Sequence, residues 1–228
     1  MQFSEEIDFR EGLVYDPSVK GFDSSFWQGD TANLVFDSVK NVLKIGDTAL
    51  VGSVSSFSQY LYGDFEFTMH FDCLSPDTND SEKFFGLINR GDSDNRGAVF
   101  FDLSFDSEND TIQLKTDDCV GHFRAVVHGE DSVVIRRNIQ WDTAWGSNGV
   151  FTRLRIKWEE GGYAFLVNDT VVATIGEGFD NQDTIGTELR MNKTIPQALR
   201  LSNRSLDTFD TEPMGLHLLT IRNARKVI

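Results

Sequence analysis

Proline is scarce, at 4 of 228 residues, and no apolar run approaches the roughly 20 residues that a membrane helix requires. Turns must therefore rely on the 19 glycines and on Asn and Asp, and insertion into a membrane is not expected. Two cysteines, Cys73 and Cys119, allow at most one disulfide and no thiolate metal framework. A bridge needs Cα atoms within about 7 Å, so both the paired and the free state stay open. Lys and Arg number 21 against 36 Asp and Glu, a net charge of -15. That surface repels phosphate backbones, which argues against a nucleic-acid partner. The basic end, Arg222, Arg225 and Lys226, reads as a solvated terminus. The opening MQFSEEIDFREG has no basic, then apolar, export signal. The expected setting is an extracellular surface or a virion. No His-x-x-x-His pair, Gly-x-Ser-x-Gly elbow or glycine-rich phosphate loop occurs.

What the sequence has in abundance is period-two alternation. In GDFEFTMHFDC, Phe65, Phe67, Met69 and Phe71 point one way and Glu66, Thr68, His70 and Asp72 the other. TRLRIKWEE repeats the pattern, with Leu154, Ile156 and Trp158 inward and Arg153, Arg155 and Lys157 outward. Strands buried on one face and wet on the other read this way. Asn168-Asp169 marks a tight turn between YAFLVN and TVVATI, so residues 151–175 form a three-stranded meander. Further strands are expected in KFFGLIN, GAVFFDLSF, HFRAVV, SVVIRR, ALRLSN and GLHLLTIRNA. No segment has an apolar helical stripe with caps. The pattern predicts an all-β protein, an antiparallel jelly-roll β-sandwich, with residues 1–228 as a single domain.

Two segments carry a resemblance. SQYLYGDFEFTMHFD resembles the Tyr-Gly-x-Phe-Glu strand of family 16 glycoside hydrolases. LRIKWEEGGYAFLVNDTVVATI is similar to a hairpin found across the concanavalin A-like lectin/glucanase superfamily, laminin G-like domains included. The resemblance implies a concanavalin A-like fold. It also implies a Glu-x-Asp-x-x-Glu motif, because retaining glycosidases need two carboxyl groups about 5–5.5 Å apart. The matching stretch is Val99 to Asp106: Asp102 fits the central aspartate, Phe100 stands at the nucleophile position, and Asp106 lies a residue beyond the expected glutamate. A phenylalanine cannot attack an anomeric carbon, so the catalytic motif is degenerate. The expectation is that the chain is not an enzyme.

Binding then needs a site. Trp141, Asp142, Trp145 and Asn148 place two of the four tryptophans among polar groups, the residue types that stack on a sugar ring and bond its hydroxyls. The same tryptophans can equally roof the core. Phe26-Trp27-Gln28-Gly29 offers Trp27 as a second exposed aromatic, while Trp158 alternates inward. Acidic loops at Asp77–Glu82, Asp92–Asn95, Asp106–Asp110 and Asp207–Glu212 provide oxygen ligands for a structural calcium, or are simply solvated turns. Five Asn-x-Ser/Thr sequons occur, at Asn79, Asn109, Asn168, Asn192 and Asn203, and reflect the composition of the loops. The leading expectation is a lectin-like domain that binds a glycan or surface polymer. One alternative is a structural accessory or decoration protein of a virion, partnered by a capsid lattice or by copies of itself. Another is a hydrolase with relocated carboxylates, in which Glu66 and His70 meet Asp102.

Overall fold

Alternating sequence becomes two stacked antiparallel sheets. The structure, a computed structural model, describes residues 7–8, 13–20, 23–29, 34–45, 51–70, 82–89, 97–104, 122–129, 134–140, 151–159, 161–176, 195–204 and 214–227. Among them the strands are β1 (Ile7–Asp8), β2 (Leu13–Tyr15), β3 (Trp27–Gly29), β4 (Leu34–Asp37), β5 (Val42–Ile45) and β6 (Val51–Leu61). There follow β7 (Gly63–His70), β8 (Glu82–Ile88), β9 (Val99–Ser104), β10 (His122–His128), β11 (Val134–Asn138) and β12 (Thr152–Glu159). The last are β13 (Gly162–Val167), β14 (Thr170–Gly176), β15 (Gln197–Arg204), β16 (Met214–Arg222) and β17 (Arg225–Val227). One helical turn, α1 (Pro17–Lys20), is capped by Asp16, whose Oδ1 accepts from the Ser18 amide at 2.8 Å.

The nine-stranded sheet runs β1-β17-β6-β15-β8-β9-β10-β11, with β3 also on β6. The eight-stranded sheet runs β14-β13-β12-β7-β16-β5-β4, with β2 also on β16. One flank of β16 pairs with β7, and its other flank takes β5 and β2 in turn along its length. Every pairing is antiparallel, as expected for the all-β jelly-roll sandwich.

Alternation decides what lies between the sheets. Phe65, Phe67 and Met69 of β7 and Leu154, Ile156 and Trp158 of β12 are all buried, facing Phe85, Phe101 and Phe123 of the nine-stranded sheet. Phe101 meets Phe165 edge-on across the two sheets, with ring centroids 5.1 Å apart. Burying each such side chain contributes roughly 1.5–3 kcal/mol. The meander forms as its sequence predicts. Asn168 and Asp169 both take positive φ, 48° and 65°, the geometry of a two-residue hairpin turn. Asn168 Oδ1 accepts from the Arg153 amide at 2.9 Å, so this sequon side chain is committed to the turn.

Candidate functional site

On β9 the core takes Val99, Phe101 and Leu103, which leaves Phe100 and Asp102 on the outer face of the nine-stranded sheet. Its neighbours present Phe84, Gly86 and Ile88 from β8 and Arg124, Val126 and His128 from β10. Gly86 sits opposite Phe100, and a Cβ there would come 2.6 Å from Phe100 Cα and collide with the Val99 carbonyl. The glycine lets the two strands close up, and Phe84 stacks on Phe100 with centroids 4.1 Å apart at 25°. Phe100 in turn stacks on His128 at 5.7 Å. Arg200 of β15 completes the row, its guanidinium 5.8 Å from the Phe84 centroid and its Nε donating to Ser53 Oγ at 3.1 Å. Phe84, Ile88, Ala98, Phe100 and Val126 form a small apolar cluster separate from the main core.

Beside this row lies a polar element. Asp102 is 6% exposed and pairs in register with Arg124. Arg124 donates from Nε at 3.0 Å and from Nη2 at 2.7 Å, both to Oδ2. Oδ1 is buried and has no partner among the described residues. A buried carboxylate oxygen without a donor costs stability. Burial, and next the positive charge of Arg136, hold His128 below its usual pKa, so the imidazole is neutral at pH 7. Among the described side chains of this face, Asp102 is the one carboxylate.

The residues singled out from sequence fare differently. Trp141, Asp142, Trp145 and Asn148 lie outside the described residues, as do Cys73, Cys119, Asp106 and nearly all of the acidic loops. Trp27 is corrected: it is 0% exposed, packed edge-on against Tyr15 at 5.8 Å and Phe26 at 4.8 Å, and belongs to the core. The meeting of Glu66 and His70 with Asp102 is also corrected. The first two stand on the outer face of β7 in the eight-stranded sheet, with the whole core between them and Asp102. Glu66 is instead 3.6 Å from Arg222, and His70 faces the Phe151 ring at 6.4 Å. A surface hollow lined by Tyr62, Asp64, Arg155 and Trp158 lies on that same sheet. There the Asp64 carboxylate is already bound by Arg155 through both oxygens, which leaves it little to offer a ligand. Among the described residues no three His, Cys, Asp or Glu gather as metal ligands, and no helix is long and apolar enough to cross a membrane.

Solved structures share this fold. A laminarinase from Flavobacterium sp. UMI-01 superposes with a TM-score of 0.60 at 12% identity, covering 92% of this chain and 98% of that one. Bacillus licheniformis β-glucanase gives 0.56 at 12% identity over 92% and 97%. The Crh5 transglycosylase in complex with NAG gives 0.59 at 13% identity over 96% and 88%. The fold is the concanavalin A-like jelly roll. No protein-family model matches the chain, and no curated protein matches it in sequence. The expectation that the chain is not an enzyme is corrected by these likenesses, since the jelly rolls it resembles are named as glucanases, a laminarinase and transglycosylases. Phe100 removes one nucleophile position; it does not separate this jelly roll from a fold used by enzymes. The virion or capsid reading gains no support from them.

Arg124, His128, Arg136 and Arg200 were not singled out by sequence reasoning. In HFRAVVH the alternation of Arg124, Val126 and His128 against Phe123, Ala125 and Val127 was visible, but not the strand that would lie beside them.

Proposed function

We propose that the protein engages a polysaccharide on the outer face of its nine-stranded sheet, with Asp102 as the principal polar contact. The observation that carries this reading is the buried Asp102 Oδ1, which is left without a donor while Oδ2 is held by Arg124. Sugar hydroxyls are donors in search of acceptors, and a carboxylate fixed by an arginine accepts strongly and in a set direction. The likeness to proteins named for glucan and mucin breakdown supports a carbohydrate ligand. The two expected tryptophans, Trp141 and Trp145, remain candidates for a stacking platform.

Calorimetric titration and reducing-sugar release against a β-1,3-1,4-glucan, a β-1,3-glucan and mucin test the reading together. Asp102→Asn keeps the shape but weakens the acceptor. It is expected to lower affinity for the bound polysaccharide about tenfold or more, since hydrogen bonds to charged groups are worth about 1.5–3 kcal/mol. Any release of reducing ends should fall with it. No binding and no release across the panel would overturn the proposal. So would a folded Asp102→Asn variant that behaves as the parent does.

A further inference from the structure

We infer that the polysaccharide taken by this face is anionic, bearing carboxylate or sulfate groups; the inference rests on the proposed glycan-binding reading. The chain as a whole carries a net charge of -15, yet the described part of this face is basic. Among the described side chains of this face, Arg200 on β15, Arg124 on β10 and Arg136 on β11 stand against the carboxylate of Asp102. Arg124 is matched by Asp102. Arg136 and Arg200 make no ion pair among the described residues, and what Arg200 does touch, the Ser53 hydroxyl and the Phe84 ring, leaves its charge whole.

The opposite sheet shows what the protein does with arginines it neutralises. There Arg153 lies 2.5 Å from Asp169, Arg155 binds Asp64, and Arg222 lies 3.6 Å from Glu66. All three are paired. Among the described side chains of this face, Arg136 and Arg200 thus have no carboxylate partner, on a chain that is acidic overall. Arg136 adds to burial in lowering the pKa of His128. Arg200 and Arg136 are separated by β8, β9 and β10, about 19 Å at the usual strand spacing. That distance spans several sugar units laid across the strands, with Asp102 on β9 between the two ends. Guanidinium forks match carboxylate and sulfate oxygens better than neutral hydroxyls. A nucleic acid is also polyanionic, but the acidity of the remaining surface opposes a long phosphate backbone.

The test uses the full chain and one β-glucan in three forms, unmodified, carboxymethylated and sulfated, with a single-stranded oligonucleotide as a fourth ligand. Affinities are measured at low and at physiological salt for the parent, Arg136→Gln, Arg200→Gln and the double variant. Both modified glucans are expected to bind at least tenfold more tightly than the unmodified one, with the advantage shrinking as salt rises. The better of the two identifies the anionic group. In the double variant the advantage should fall below threefold. Arg136 is exposed, so its single variant carries the test if Arg200→Gln weakens the fold. Equal binding of all three glucans would overturn this inference and leave the glycan reading standing. Binding of none would overturn both. An oligonucleotide bound as tightly as the modified glucans, or an advantage that survives the double variant, would also overturn it.

Discussion

Arg124 spends both of its hydrogen bonds to Asp102 on one oxygen, Oδ2, and leaves Oδ1 of that buried carboxylate bare. The pair is nevertheless needed as a pair. Arg124→Leu strands a buried negative charge and is expected to cost about 3–5 kcal/mol, whereas the double variant Asp102→Leu/Arg124→Leu should recover most of that loss. Urea denaturation of the three proteins measures both changes. Equal destabilisation of the single and double variants would show that the two residues do not depend on each other.

Trp27 and Trp158 are both core residues. Replacing either with Ala should lower stability by about 3–5 kcal/mol, the range for large aromatics truncated in a packed interior. A Trp27→Ala protein with an unaltered melting temperature would place that ring at the surface after all.

Gly86→Ala puts a methyl group against Phe100 and the Val99 carbonyl. Overpacking of this kind costs about 1–3 kcal/mol. It should also part β8 from β9, loosening the Phe84–Phe100 stack and so weakening polysaccharide binding along with the fold. A variant as stable as the parent would mean that the two strands are not closely apposed.

Asp37 is held at a pKa of about 2, first by its hydrogen bond with Lys44 and then by the Lys40 and Val39 amides. Its folded value lies below the model-peptide 3.8, so its contribution to stability is present above that pH and is lost as pH falls through about 2. Asp37→Asn should therefore melt lower than the parent at neutral pH, with the gap closing on acidification towards pH 2. A gap that stays constant with pH would remove the charge from this account.

Alternation is a local property, and what it reports is local. The inward set Leu154, Ile156 and Trp158 and the turn at Asn168-Asp169 were legible because side-chain direction and turn chemistry depend on immediate neighbours. Which sheet a strand joins is decided by partners far along the chain. Glu66 reads as outward from the alternation of its own strand, yet it and Asp102 face away from each other on opposite sheets. Trp27 misled for a different reason: Gln28 and Gly29 beside it have the composition of a loop, while β3 in fact rests on β6 and turns its indole into the core. The basic face of Arg136 and Arg200 was hidden in the same way, since those residues lie on strands that neighbour neither each other nor Phe84 in sequence.

The placement of β16 sets the order in which the chain can be made. Strands β2, β5 and β7, all within the first 70 residues, hydrogen-bond to residues 214–222. On a ribosome adding about 5–20 residues per second, those early strands wait on the order of ten to thirty seconds for their partner to be synthesised. Until then β7 has a bare edge towards the missing strand, and its Phe65, Phe67 and Met69 lack the finished sandwich that will cover them. Sheet closure of this kind is slow and exposes aggregation-prone edges on the way. The nascent chain, rather than the finished sandwich, is where the β16-facing edges of β2, β5 and β7 stand unpaired.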